Sequence, residues 1–379
     1  MNQNIIFAEE GYHALEEILK NLDKKKILLI HGKSMRKLAV GHFLHAVLRK
    51  LNVQIVEFTN FEPNPHLASA IEGAKLCVRE RCDSILACGG GSAIDVAKCI
   101  RLFCELDLRK RDFWKNLKPG KLPLIAIPTT AGTGSEATHF AVVYHHGEKL
   151  SIGEKNNIPQ TVIMDPDVLL SLPVSQKRVT FLDAMCHAIE SYWSIHATEE
   201  SRFYAYMALL LIRDRQDEYF HASPAPECRL SMLMAAYYAG KAINISKTTA
   251  GHAMSYKLTS YYGIPHGQAA MMCLIRLWAH MLKKETTPKL EQIYQNLALG
   301  LGYESSRDAV HGLAERLNSW GMVEPLEKSP HECCEMVKRL AFSVNTERLQ
   351  NHPVQIEISD FECLYRDILE GKFREIEGE

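Results

Sequence analysis

The sequence lacks the features that mark several large classes of protein. Its 44 lysines and arginines nearly balance 45 aspartates and glutamates, for a formal net charge of −1 and a pI near 7.0. With no excess of either sign there is no electrostatic case for nucleic acid or a membrane surface, and neither is expected as a partner. No apolar run reaches the roughly 20 residues that span a bilayer; the most apolar stretch, Met271 to Leu282, is broken by Arg276 and His280. The opening residues, Met1 to Glu10, carry no basic segment and soon turn acidic, so no secretory leader is expected. The 11 cysteines are odd in number, show no Cys-x-x-Cys spacing, and include an adjacent pair, Cys333-Cys334, that does not easily bridge itself. That argues against a disulfide framework and fits reduced thiols in a cytoplasm. There is no internal repeat and no low-complexity segment. What remains is an ordinary globular composition, 46% hydrophobic and 23% charged. A chain of 379 residues usually exceeds one hydrophobic core, so two domains are expected.

The first half alternates short apolar runs with amphipathic stretches. Ile27 to Ile30, Val53 to Phe58, Ser84 to Cys88, Leu122 to Ile127 and Thr161 to Met164 read as strands, and the alternation predicts βαβ units on a mainly parallel sheet. Beyond Leu172-Pro-Val-Ser-Gln strand signals nearly vanish, and helical periodicity appears at about 179–195, 201–219, 228–245, 267–283, 287–301 and 306–319. The fold class is therefore α/β followed by all-α, with an α/β domain over residues 1–174 and an all-helical domain over 175–379.

Two loops in the first half have the composition of phosphate cradles. The strand ending at Cys88 runs into Gly89-Gly-Gly-Ser-Ala-Ile-Asp-Val-Ala-Lys98, and the strand ending at Ile127 runs into Pro128-Thr-Thr-Ala-Gly-Thr-Gly-Ser-Glu136. Glycine lets a backbone turn sharply and approach a ligand closely, while the helix that follows offers unpaired N–H groups and a positive dipole end. Neither loop is Gly-x-Gly-x-x-Gly or a Walker loop. Either alone would serve as an ordinary tight turn; two of them suggest a dinucleotide.

The second half carries a candidate metal site. Asp183 and His187 stand four apart in a helix-like run, one turn apart on one face, and His252 and His266 follow in Gly251-His-Ala-Met-Ser and Ile264-Pro-His-Gly267. Among 17 histidines, a capping aspartate, a core histidine and two loop histidines are the ordinary alternative. Read as one shell, three imidazoles and a carboxylate suit Zn²⁺ or Fe²⁺ rather than the all-oxygen shells of Ca²⁺ or Mg²⁺, and imply Lewis-acid chemistry.

These motifs carry a resemblance. Asn64-Pro65, the Gly-Gly-Gly-Ser-x-x-Asp-x-x-Lys stretch, Pro-Thr-Thr-x-Gly-Thr-Gly-Ser-Glu, Asp165-Pro166, Asp-x-x-x-His-Ala-x-Glu and Gly263-Ile-Pro-His-Gly267 occur in order over essentially the whole chain. The sequence resembles the iron-containing, group III metal-dependent alcohol dehydrogenases, which share a dehydroquinate synthase-like fold. The resemblance implies a Rossmann-like dinucleotide domain, a helical metal domain, a homodimer, and NAD(P)-dependent interconversion of a small aldehyde and its primary alcohol in the cleft between the domains. It further implies that Gly90, Gly91 and Ser92 hold the pyrophosphate, that Asp95 meets the nicotinamide carboxamide, and that Thr129, Thr130 and Thr133 line the adenine and nicotinamide pocket. Lys149 would reach the ribose or phosphate side, and Asp183, His187, His252 and His266 would bind Fe²⁺ or Zn²⁺.

Three positions refine the reading. NAD selectivity calls for an acidic side chain at the ribose 2′-hydroxyl; where NAD-preferring relatives commonly place Asp, this chain has Gly32, followed by Lys33, Ser34 and Arg36, so NADP(H) is favoured over NAD(H). Many relatives carry His-x-x-x-His at the first of the two later ligands, the second histidine being a proton relay; here the run is His252-Ala-Met-Ser-Tyr256. A phenol with an unperturbed pKa of about 10 is a weaker shuttle near neutrality, so Tyr256 or a water replaces the relay. Finally, Lys247 and Lys257 stand near this departure, and a lysine is a compact partner for phosphate or phosphonate. The local run from His252 to Ser260 is similar to phosphonoacetaldehyde reductases of phosphonate biosynthesis, with Lys247 the better candidate for the anionic tail. A general aldehyde reductase, a dehydroquinate synthase-type cyclase and a non-catalytic binding protein are the alternatives.

Overall fold

A computed structural model describes residues 3–8, 12–21, 25–284, 287–326, 329–344 and 349–373. The residues Met1, Asn2, Glu9 and Glu10 used in reading the amino terminus lie outside them. The chain divides into two compact units, Met1–Lys177 with Asp217–Gly240 and Arg178–Gln216 with Lys241–Glu379. The segment 217–240 thus groups with the first unit, although it lies well beyond residue 174. Among the described residues no helix is long and apolar enough to cross a membrane.

The first unit is built on a six-stranded parallel sheet. Its strands are β1 (Asn4–Phe7), β2 (Lys26–His31), β3 (Gln54–Phe58), β4 (Ser84–Gly89), β5 (Leu124–Pro128) and β8 (Thr161–Met164), in spatial order β1-β8-β5-β4-β2-β3. Every residue of β4 and β5 is buried, the pattern of strands covered on both faces, which explains why both read as unbroken apolar runs. One face packs on α3 (Leu67–Arg79) and α4 (Gly91–Phe103), with Leu28, Ile30, Ile85, Ala87, Ile94, Val96 and Ile100 at its centre. From β2 the chain first moves outward to β3, then returns to place β4 on the other side and β5 beyond it. The order therefore reverses between β2 and β4, and ligands of open α/β sheets bind at the carboxyl ends of strands beside such a switch point. The turn at Gly32, the loop at Gly89-Gly90 and the loop at Thr129 leave those ends, since His31 is in register with Cys88 and Gly89 with Pro128.

A separate antiparallel hairpin joins β6 (Phe140–His145) to β7 (Glu148–Gly153). Its two turn residues, His146 and Gly147, have φ of 50° and 79°, the left-handed pair that matches the twist of a two-residue hairpin.

In the second unit, the helices that matter for function are α5 (Val174–Trp193), α8 (Ala250–Tyr262) and α9 (His266–Met281). Gly263 closes α8 in the left-handed conformation at φ 67°, as glycine does after a helix end. Pro265 then turns the chain into α9. A Cβ at position 267 would stand 2.1 Å from the carbonyl oxygen of Val179 and 2.9 Å from Cβ of Asp183. Gly267 is what lets α9 lie directly on the turn of α5 that carries Asp183.

Candidate active site

On α5 the side chains Asp183, His187 and Glu190 recur at i, i+4 and i+7, which places them on one stripe. Asp183 and His187 are 5% and 7% exposed, and His252, from α8, is 2% exposed. Ligand atoms of Asp183, His187 and His252 all lie within 4.8 Å of one another. Nε2 of His252 is 3.7 Å and Nε2 of His187 4.0 Å from Oδ1 of Asp183. The two imidazoles stack at 4.6 Å with an interplanar angle of 16°. His266, the first residue of α9, is not part of this tight trio: its ring centre is 5.4 Å from that of His252, though its charge still acts on Asp183. Both His252 and His266 fall outside the helical ranges that the periodicity predicts, 228–245 and 267–283; both are helical, and the backbone therefore holds their directions.

The carboxylate of Glu190, fully buried, organises the trio. It accepts from the Nδ1 side of the His252 ring at close range, from the Thr249 hydroxyl at 2.8 Å, and from the backbone N–H groups of His252 and Thr249. A histidine that donates Nδ1–H to a carboxylate presents an unprotonated Nε2 on its other side, the usual support for a metal ligand. Gly251 makes room for this contact, since a Cβ there would lie 2.9 Å from Oε1 of Glu190. In the sequence Glu190 stands in the Asp-x-x-x-His-Ala-x-Glu motif with no role assigned to it, and its i+7 spacing from Asp183 is the signal.

Electrostatics agree with a cation site. Burial works against the charged form of Asp183, yet the histidines hold it far below the usual carboxylate range. Burial likewise opposes a charged Glu190, but His252 and Thr249 outweigh it and hold the carboxyl near a pKa of about 2. Burial disfavours protonated His252, while Glu190 and Asp183 push it up to about 10. Oδ1 of Asp183 and Nε2 of His252 are buried and make no hydrogen bond among the described residues. These two buried, unpartnered atoms, a carboxylate oxygen and an imidazole nitrogen, fit Fe²⁺ or Zn²⁺, and an ion bound there would displace the proton that His252 otherwise holds.

Tyr256 lies beside this site, its ring 5.9 Å from that of His266 and tilted by 27°. Lys247 is exposed and follows the last residue of the helix Pro226–Ser246, with a left-handed φ of 61°. Two residues on, Thr249 meets Glu190. Lys257 instead lies over the ring of Tyr261 at 5.6 Å.

In the first unit the two glycine-bearing loops touch. A Cβ at Gly90 would approach the Thr130 hydroxyl to 3.0 Å, and one at Gly91 would approach the Thr133 side chain to 2.7 Å; Thr129 N–H donates to the carbonyl of Gly89 at 3.1 Å. Gly90 caps α4 and Gly91 and Ser92 form its first turn, so free backbone donors of that turn point out of the sheet beside Thr129, Thr130 and Thr133. Asp95, one turn further, is tied down: it accepts from the Ser135 hydroxyl at close range and from the N–H of Val142 at 3.0 Å. Lys149 is half-buried on β7, paired across the hairpin with Tyr144. Lys33 and Ser34 are exposed at the turn after β2, and a Cβ at Gly32 would meet nothing within 4 Å. Arg36 is engaged by Glu57 at 3.0 Å, a carboxylate that sequence analysis did not consider.

Lys98 was also without a role in the sequence. It is fully buried, and its ammonium donates to the carbonyls of Ser135 and Phe140 at 2.7 and 2.6 Å and to the Thr138 hydroxyl at 2.9 Å, with Asp95 at 3.5 Å. Burial lowers its pKa, with Asp95 and Glu136 opposing; burial raises the neighbouring Glu136 to about 7. Lys98 thus fastens the threonine loop and the hairpin to α4.

The sequence profile for iron-containing alcohol dehydrogenase matches residues 2–166, and the profile for the C-terminal part of the Fe-containing alcohol dehydrogenase family matches residues 178–369. Alcohol dehydrogenase 4 of Schizosaccharomyces pombe is 32% identical over 286 residues, 74% of this chain and 67% of that protein. Among solved structures, sulfoacetaldehyde reductase from Bifidobacterium kashiwanohense in complex with NAD+ aligns with a TM-score of 0.82 at 27% identity over 97% of each chain. Alcohol dehydrogenase from Oenococcus oeni aligns with a TM-score of 0.85 at 26% identity, over 97% of this chain and 98% of that one.

Proposed function

Because the chain belongs to the iron-containing alcohol dehydrogenase family, and is an alcohol dehydrogenase or aldehyde reductase, we propose that it reduces a small aldehyde with an anionic tail, phosphonoacetaldehyde being the favoured candidate. NADP(H) is the preferred hydride carrier, and Asp183, His187, His252 and His266 hold Fe²⁺ or Zn²⁺. A divalent ion in that shell supplies Lewis acidity toward the carbonyl oxygen. Glu190 keeps the Nδ1 side of His252 occupied, so that Nε2 stays available as a ligand. Tyr256, its ring beside that of His266, is the candidate proton donor in place of a second histidine. In the first unit the turn of α4 at Gly90, Gly91 and Ser92 takes the pyrophosphate on its free N–H groups, with Thr129, Thr130 and Thr133 as the adjoining wall. Asp95 contributes its remaining lone pairs toward the carboxamide, and Lys149 its charge toward the ribose or phosphate.

The observation that carries the anionic tail is Lys247. A left-handed backbone costs a branched or long residue about 1 kcal/mol or more relative to glycine, yet this position, two residues from the Glu190 partner Thr249, holds an exposed lysine. The named substrate of one structural relative, sulfoacetaldehyde, is likewise an aldehyde with an anionic tail. The test is NADPH and NADH oxidation against phosphonoacetaldehyde, sulfoacetaldehyde and butanal, with Fe²⁺ or Zn²⁺ supplied in turn. A charge-assisted contact is worth roughly 1.5–3 kcal/mol, so Lys247→Met is expected to lower kcat/KM with the anionic aldehydes about tenfold to hundredfold and to spare butanal. A wild-type preference for butanal, or equal loss with all three, points instead to a general aldehyde reductase.

A further inference from the structure

The carboxylate of Glu57 gathers three basic groups near the carboxyl ends of β2 and β3. Oε2 lies 3.0 Å from Nη2 of Arg36 and 3.5 Å from Nε2 of His31, and Oε1 lies 3.6 Å from Nε2 of His45. The placement follows from the strands. Glu57 is in register with Leu29, and His31, two residues on, shares its face. Arg36 arrives from the short turn after Gly32, and His45 from the helix Ala39–Lys50. Burial works to raise the Glu57 carboxyl, but Arg36 and His31 outweigh it and keep it ionised below the usual carboxylate range.

His31 links this cluster to the cofactor turn. Its ring is 1% exposed, and while Nε2 faces Glu57, Nδ1 lies 3.0 Å from the carbonyl of Gly32. Glu57 is therefore one imidazole away from Gly32, whose α-carbon faces open space. The basic character attributed to this turn needs revision on that ground: Arg36, its strongest phosphate partner, is already paired with a carboxylate.

We propose that Glu57 is a cofactor-selecting residue, which holds Arg36 away from the open space at Gly32 and repels a 2′-phosphate entering it, so that the preference for NADP(H) proposed above is smaller than the basic turn implies. The inference rests on the reading that the Gly32 turn faces the adenosine ribose. A 2′-phosphate must draw Arg36 off Glu57 and then sit beside the uncovered carboxylate. A ribose 2′-hydroxyl needs neither step, and leaves the Arg36–Glu57 pair intact.

The test uses the enzyme with one aldehyde that it turns over. The ratio of kcat/KM for NADPH to that for NADH is measured for wild type, Glu57→Gln, Arg36→Ala and the double variant, and the affinities for 2′-phospho-ADP-ribose and ADP-ribose are measured alongside. Removing one like charge at partly screened range is expected to raise the ratio about tenfold in Glu57→Gln, carried by the KM for NADPH. Arg36→Ala is expected to lower it, and the double variant to recover part of that loss, because the repulsion by Glu57 is then gone while the cation that it withholds is absent. An unchanged or lower ratio in Glu57→Gln overturns the inference. Gly32→Asp separates this from failure of the underlying reading: the new carboxylate is expected to lower the NADPH to NADH ratio. If Gly32→Asp leaves it unmoved, the turn does not face the ribose and both statements fall; if Gly32→Asp shifts it and Glu57→Gln does not, only the role of Glu57 falls.

Discussion

Asp183→Asn and His266→Ala are each expected to lose about three orders of magnitude in kcat/KM for aldehyde reduction, since Lewis-acid polarisation is worth several kcal/mol and each 1.36 kcal/mol is tenfold. Metal content, measured on the protein as purified and after reconstitution, is expected to fall with activity. Binding of ADP-ribose is expected to persist, because the loops at Gly90 and Thr129 belong to the first unit and the proposed metal ligands to the second. Glu190→Gln is a graded version of the same test. It keeps the side chain's shape but weakens the acceptor that His252 leans on, and should reduce metal affinity by about 10- to 100-fold. The two ligand variants are not equivalent. Asp183 is in the tight trio, whereas His266 stands off by a ring's width, so a metal-replete, fully active His266→Ala enzyme would remove His266 from the shell while leaving the trio in place.

The second large effect is on stability. Lys98→Met should cost about 3–5 kcal/mol, the range for breaking a buried charged network by removing one member. Methionine fills the volume, so the loss isolates the ammonium. Without it the carbonyls of Ser135 and Phe140 lose a donor and Asp95 loses its nearest cation. In thermal unfolding this corresponds to a fall in Tm of roughly 10 °C. Because Ser135 is bonded to Asp95 and follows Thr133 in the same loop, affinity for the nucleotide should drop as well. The double variant Lys98→Met with Asp95→Asn should recover part of the Tm loss, since the uncompensated carboxylate is gone. A Tm within about 2 °C of wild type would mean that water replaces the ammonium, and that the network contributes little.

Much of the architecture was legible in advance. The runs around Ile27, Ser84, Leu122 and Thr161 are strands within a residue or two of where the alternation put them, because strands buried on both faces show their burial directly in composition. The strand Asn4–Phe7 and the hairpin of Phe140–His145 and Glu148–Gly153 were missed. The first is only four residues long, and the second is interleaved with Tyr144, His145, Lys149 and Ser151, so neither offers a clean apolar run. The helix Ala250–Tyr262 was missed as well. Its glycine, serine, threonine and three tyrosines are indifferent helix formers, and it is held instead by burial against its neighbours.

By itself the sequence determined what spacing within one element can determine. Asp183 and His187 share a helix, so their common face follows from 3.6 residues per turn, and the glycines at 90, 91 and 267 announce close approaches without saying to what. Tertiary structure alone decided the pairings across elements. Glu190 meets His252 from 62 residues away, Lys98 meets Phe140 from 42, and Glu57 meets Arg36 from 21. The physical reason is that a charged side chain reads the same in sequence whether it is solvated or buried. Only its partners, delivered by the packing of separate helices and strands, decide whether Lys98 is a surface charge or a fastening, and whether Arg36 is open to a phosphate or already held.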